Sequence, residues 1–360
     1  MLLKRFPEDF RVEEVLNLDV KDRGDYAYFI LEKTKWTTMK ALDTISKQVQ
    51  VSVKRFAVCG QKDRQGITRQ YVSVYQVSER ALEKVKIKDI KIEFVGYGDS
   101  PLAIGLLEGN KFNITVRELE KPLRKVSSVV NYFDDQRFGG YRPNMHLVGK
   151  AALQGRYEDA VKLLLLHPFP NETKDYVSAR EKMEENWGKW DPYSLPRSMT
   201  IEKKVVGYLQ KKHRDFKGAL RALPRQLFIM LTHSYQSYIY NKSLAMYLRH
   251  RFREYREVEY SLGKMIFVQE FEDLDWPIVG YETELNRIQK RMVEKVMREE
   301  NIWYDTFRAT VSALSSEGLT RKAMIKVKNF KLGEYKDGVQ EVSFFLPKGS
   351  YATVVMKALS

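Results

Sequence analysis

The chain has 360 residues, 43% of them hydrophobic, and its 62 Lys and Arg against 47 Asp and Glu leave a net charge of +15. That length exceeds what one hydrophobic core serves, so two domains are expected, and the charge predicts attraction to polyanions, nucleic acid ahead of anionic membrane. No apolar run reaches the ~18 residues of a membrane span, and the start MLLKRFPEDF lacks the apolar region and cleavage site of a signal peptide, so a cytoplasmic protein is expected.

Phe10, Val12 and Glu14 alternate with Arg11 and Glu13, which suits a short strand with one buried face. YAYFILEK at 26–33 is apolar on both faces and fits a central strand. Thr37 or Thr38 can cap a following helix whose apolar stripe is Met39, Leu42, Ile45 and Val49. Residues 68–77 read as a strand, and so do 84–95 and 111–117, both half-buried and antiparallel. Pro122 opens a predicted helix carrying Leu123, Val126 and Val130, which would deliver Asn131, Tyr132 and Phe133 to its C-terminal end.

From about 150 to 310 helical spacing dominates: 150–166, 177–187, 201–212, a long stretch after Pro224, and 283–300. Pro168, Pro170, Pro192 and Pro196 make 168–197 irregular. Strand signal returns at 323–327 and 339–346, joined through the turn dipeptide Asp337-Gly338. Strands at both ends thus enclose a helical middle, as when one domain is inserted into another. The reading is an α+β fold: a mixed, mainly antiparallel sheet flanked by helices, built from 1–151 and 311–360, with a mainly helical second domain inserted at 152–310.

The stretch that bears chemistry is VCGQKDRQGITRQ at 58–70, where Asp63 stands between Lys62 and Arg64. Read locally, it is either a solvated surface turn or a carboxylate positioned by cations. Cys59 is the single cysteine and reads as a small buried hydrophobe, which excludes an intrachain disulfide. The five histidines show neither His-x-His nor HExxH spacing, so no metal site is expected. Twenty-one Tyr, 18 Phe and 5 Trp among the cations suit unstacked bases better than duplex, although each ring taken singly reads as core.

Five separated blocks carry a resemblance. FPEDFRVEEV at 6–15, with Lys4 just ahead of it, GQKDRQGITRQ at 60–70, and NYFDDQRFG at 131–139 followed by RPNMHLVGKAAL at 142–153 come first. LPRQLFIMLTHSYQSYIYN at 223–241 and FFLPKGSYATVV at 344–355 complete the set. In this order they resemble the TruD family of transfer-RNA pseudouridine synthases. Two positions depart from the family pattern. Gly66 replaces an alanine, one small residue for another, and Asp134 replaces a glycine, placing a carboxylate near the expected substrate pocket.

The resemblance implies a pseudouridine synthase type of fold with an inserted TRUD domain, a transfer-RNA substrate modified at uridine 13, and chemistry that uses neither cofactor nor metal. It identifies Asp63 as the catalytic carboxylate, acting by covalent attack or as a base. Lys4 is implied as its cationic partner, with Lys62 and Arg64 turned elsewhere by the alternation of an extended segment. It further implies Phe133 as a stacking platform, in the role of a tyrosine in other synthase families, Asn131 at the uracil edge, and Phe10 and Tyr351 as walls of the nucleotide site. For all four residues core packing is the competing reading, more strongly for Phe10 and Tyr351 than for Phe133 and Asn131. Arg137, Arg142, Lys203, Lys204, Lys211, Lys212 and Arg214 could follow an RNA backbone, although a solvated face explains each as simply. No membrane contact and no obligate protein partner are expected. The rival class is a non-catalytic RNA-binding or RNA-chaperone protein with the same fold.

Overall fold

The computed structural model describes residues 1–140, 142–169, 172–269 and 273–359. In chain order the first part runs β1 (Phe10–Leu16), β2 (Tyr26–Thr34), α1 (Thr38–Gln48), β3 (Phe56–Val58), β4 (Ile67–Tyr75), α2 (Glu79–Glu83), β5 (Ile90–Gly98) and β6 (Leu107–Val116). After β7 (Ser128–Val130) come α3 (Met145–Leu153), α4 (Tyr157–Leu166), α5 (Lys174–Glu185), α6 (Thr200–Lys211), α7 (Phe216–Arg221) and the 27-residue α8 (Arg225–Arg251). Then follow β8 (Arg256–Tyr260), β9 (Gly263–Phe267), β10 (Asp275–Ile278), α9 (Arg287–Glu299), β11 (Leu319–Lys322), β12 (Met324–Lys326), β13 (Lys328–Leu332), β14 (Gln340–Pro347) and α10 (Ala352–Leu359).

Two compact units result, Met1–Val129 with Ile325–Ser360, and Val130–Met324, so the second unit is inserted into the first. This division places Asn131 and Phe133 with the inserted unit and leaves Lys4, Phe10, Asp63 and Tyr351 in the unit made from both chain ends.

The first unit holds an eight-stranded sheet in the order β13-β14-β6-β1-β4-β2-β5, with β3 also paired to β4. Only β1 and β4 run parallel; the other pairs are antiparallel, and the fold is α+β. The alternation in β1 buries Phe10, Val12 and Glu14 and exposes Arg11 and Glu13, as period two requires. Thr37 caps α1 by accepting the Lys40 N–H, and Leu42 and Ile45 pack beneath the sheet residues Phe29, Leu31, Val72 and Val74. Met39 is exposed rather than part of the buried stripe. At the C-terminal end, Asp337 and Gly338 both take positive φ in the turn that leads into β14, which only such residues adopt cheaply.

Several expected elements are corrected. Residues 122–127 form no helix; Val126, Ser127, Ser128, Val129 and Val130 are poor helix formers, and the chain instead bonds laterally, Leu123 N–H to Gln340 Oε1 and Val327 N–H to the Ser127 carbonyl. The strand expected from residue 84 starts at Ile90, after the short α2. The single helix expected over 150–166 is two, broken at Gly155, whose φ is +74°. The helix expected at 177–187 is α5, three residues earlier at its start, and it interrupts the stretch 168–197 that the prolines marked as irregular; Pro170 lies outside the described residues. The inserted unit also contains the β8–β9 hairpin and the β10–β11 pair, short strands that the surrounding helical pattern hides. Among the described residues, no helix is long and apolar enough to cross a membrane.

Candidate active site

The loop between β3 and β4 carries Asp63, and its backbone is fastened at Gly60, Lys62 and Asp63. Gln70, buried in β4, donates to the Gly60 carbonyl at 3.2 Å and accepts from Thr38 Oγ1 at 2.7 Å. Thr38 Oγ1 in turn accepts the Lys62 N–H at 3.0 Å. Lys33, at the end of the central strand β2, donates from Nζ to the carbonyls of Trp36 and Asp63, each at 2.8 Å, and of Lys62 at 3.4 Å. These bonds replace the water that a surface loop would use, so the loop is pre-formed.

Alternation along the loop separates its charges. The Lys62 ammonium turns to Glu14 of β1, 2.6 Å from Oε1, while Glu14 Oε2 accepts the Tyr71 N–H at 2.9 Å. Arg64 donates to the Lys35 carbonyl. Cys59 is buried, and burial first, with the Glu14 charge second, pushes its thiol up to about 11. Gly66 ends the loop at φ +132°, and a Cβ there would lie 2.5 Å from the Phe10 carbonyl oxygen. Alanine is therefore no equivalent of glycine at 66 in this chain, contrary to the expectation of a neutral exchange.

Asp63 Oδ2 accepts from Lys4 Nζ at 2.9 Å. The same ammonium stands 4.1 Å from the centre of the buried Phe10 ring, so an aromatic face and a carboxylate hold it together. The Asp63 side chain keeps 36% of its surface exposed against 15% for Lys4, which leaves the carboxylate reachable by a ligand. Lys4 has φ +59°, an uncommon conformation for lysine that its flanks maintain. On one side Leu2 and Arg117 exchange backbone hydrogen bonds of 2.8 and 3.0 Å. On the other, buried Asp9 accepts three guanidinium bonds from Arg117 and the Phe6 N–H. The Arg117 bonds, opposed by burial, hold the Asp9 carboxyl below its usual range. Tyr351 is half-buried at the start of α10, where its carbonyl accepts the Val354 N–H.

In the inserted unit, Asn131 and Phe133 meet through Arg321. Its guanidinium donates to Asn131 Oδ1 at 2.6 Å and to the Asn131 carbonyl at 3.0 Å, and its Cζ lies 4.2 Å from the Phe133 ring centre. Asn131 Nδ2 donates to the Lys322 carbonyl. Phe133 is buried, with Tyr240 edge-on at 5.2 Å and Arg137 at 5.0 Å, and Asn241 bonds both its N–H and its carbonyl. Asp134 is buried with φ −101°, backbone open to any residue, so the departure from glycine imposes no strain.

Arg142 is not a free RNA contact. It bonds Glu202 and the Leu164 carbonyl, and with Glu172 and Arg180 it forms a buried cluster of two cations and two carboxylates. Lys204, Lys211, Lys212 and Arg214 are exposed and Lys203 is half-buried, as a solvated face requires. Sequence reasoning missed Lys33, Arg117 and Arg321. A lysine ending a strand that is apolar on both faces was the one available sign; Arg117 and Arg321 sit among ordinary charges and gave none.

A family model described as tRNA pseudouridine synthase D (TruD) matches residues 1–275 and 264–359. The tRNA pseudouridine synthase D of Aquifex aeolicus is 30% identical, over 99% of this chain and 97% of its own. An Archaeoglobus fulgidus protein that carries the same name provisionally is 32% identical, over 99% and 93% respectively. A crystal structure of a candidate tRNA pseudouridine synthase D from Methanosarcina mazei superposes with a TM-score of 0.73 at 29% identity, covering 99% of this chain and 92% of that one. With both chain ends and the inserted segment matched in order, the chain belongs to the TruD family of tRNA pseudouridine synthases.

Proposed function

We propose that the protein isomerises uridine to pseudouridine in transfer RNA, at position 13, in the cytoplasm. The observation that carries this reading is the Asp63 carboxylate, reachable from solvent on a pre-formed loop and bonded to the Lys4 ammonium at 2.9 Å. The reaction breaks the bond from ribose C1′ to uracil N1 and forms one from C1′ to C5; N1 gains a proton and C5 loses one to water, so the net change is an isomerisation. An ionised carboxylate serves it in either of two ways, by bonding to C1′ as N1 departs or by taking a ribose proton as the base leaves. Lys4, fixed against Phe10, keeps the carboxylate from turning away.

By the resemblance, Asn131, whose side chain bonds Arg321 and the Lys322 carbonyl, is assigned to the uracil edge, and the buried Phe133 to the base itself. Phe10 and Tyr351 are assigned to the nucleotide site. The catalytic domain comprises both chain ends and the inserted domain the middle. The net charge of +15 supplies attraction to the RNA backbone. The test uses transfer-RNA transcripts with uridine or cytidine at position 13, digested and analysed for pseudouridine after incubation with the protein. Product from the first and none from the second is expected. Binding of both without product would leave an RNA-binding protein and refute the enzyme.

A further inference from the structure

Lys33 is 1% exposed, and burying an ammonium is costly unless its protons are used in hydrogen bonds. Here the hydrogen bonds go to three backbone carbonyls, those of Trp36, Lys62 and Asp63. Two of them belong to the loop that carries the catalytic carboxylate, one to that very residue. A neutral side chain of the same length would fill the space but leave these oxygens unpaired. The position is also close enough to Asp63 for the two charges to attract, while Lys62 opposes.

We propose that Lys33 is a positioning residue for catalysis: its buried ammonium clamps the Asp63 carbonyl, so that Asp63 presents its carboxylate in one orientation, and adds a second positive charge behind it. This rests on the reading of Asp63 as the catalytic carboxylate. Lys4 then holds the side chain from the front and Lys33 the backbone from behind. Loss of the Lys33 proton removes the charge and one of its three donors, and so weakens the clamp on the loop. The charged groups facing that ammonium are Asp63 and Lys62 of the loop, with Glu14 of β1 balancing Lys62 and Lys4 balancing Asp63. Burial dominates among these influences and lowers the Lys33 ammonium to about 8.

The test compares wild type, Lys33→Met and Lys33→Arg in the full chain, by single-turnover rate at saturating transfer RNA, RNA affinity, and amide hydrogen exchange over 60–66. Lys33→Met is expected to lower the rate about 100-fold, as a misplaced catalytic group does, with RNA affinity unchanged and exchange faster in 60–66 alone. The wild-type rate should fall above pH about 8, and Lys33→Arg, which cannot lose its charge there, should outperform Lys33→Met and lack that fall. Equal loss in both variants, a Lys33→Met rate equal to wild type, or an alkaline fall that persists in Lys33→Arg overturns the proposal. Should wild type form no product, the proposed activity fails, and exchange over 60–66 in Lys33→Met decides the clamp by itself. Should Lys33→Met not fold, exchange in wild type decides: protection of 60–66 must drop through pH about 8 while β4 stays protected, and constant protection overturns the clamp.

Discussion

Replacing Lys62 by methionine keeps most of the length of the side chain and removes the charge that balances Glu14. The Glu14 side chain has no exposed surface and Lys62 only 10%, with 2.6 Å between Nζ and Oε1. After the change Glu14 retains the Tyr71 N–H on Oε2 and loses the ion pair of its buried Oε1. Removing one partner of a buried pair costs roughly 3–5 kcal/mol, whereas replacing both partners by neutral groups of similar size is often close to neutral. Lys62→Met is therefore expected to destabilise the unit built from both chain ends by that amount, and Glu14→Gln combined with Lys62→Met to recover most of it, since glutamine can still accept the Tyr71 N–H. Urea unfolding followed by hydrogen exchange in β1 and β4 measures both. A loss below about 1 kcal/mol in the single variant, the level of an exposed pair, or a double variant as unstable as the single one, would refute the reasoning.

Gly66→Ala forces a Cβ to 2.5 Å from the Phe10 carbonyl oxygen at φ +132°; strain of this type costs roughly 1–3 kcal/mol, and a lower melting temperature with slower turnover is expected, while unchanged melting would contradict the geometry. Arg117→Met releases Asp9, and the sign of its pH dependence is set by the depressed carboxyl. The Arg117 bonds stabilise the native state above the ordinary carboxylate range and are lost as acid protonates Asp9. Amide exchange in residues 2–9 should therefore be faster in Arg117→Met than in wild type at neutral pH, and the difference should start to close only below the ordinary carboxylate range, as acid reaches the depressed Asp9 carboxyl. A difference independent of pH would show that Asp9 does not carry it.

Much of the sheet was legible because its strands obey simple periods. β1 alternates, β2 is apolar on both faces, and Asp337-Gly338 marks the turn before β14. The stretch 122–130 misled because Leu123, Val126 and Val130 happen to fall at helical spacing, although the run from Val126 to Val130, three valines and two serines, is poor in helix formers. The hairpin of β8 and β9 was invisible for a different reason: its outward residues are charged and its strands five residues long, too short to show alternation against a helical background. At the candidate site, the pairing of Lys4 with Asp63 came from motif resemblance, not from any local pattern, since 59 residues separate them. The supporting groups were hidden because support is a tertiary property. Glu14 fell on the expected buried face of β1, but nothing in the sequence paired it with Lys62. Arg321 joins Asn131 and Phe133 across 190 residues of intervening chain.

The central claim is that the Asp63 carboxylate, held by Lys4, breaks the glycosidic bond and permits bonding at C5. Release of tritium from transfer RNA labelled at uracil C5 reports that bonding directly, because the label must leave as C1′ attaches. Wild type should release it, Asp63→Asn should not, and Lys4→Met should release it more slowly while binding the RNA. Release by Asp63→Asn at the wild-type rate would contradict the account.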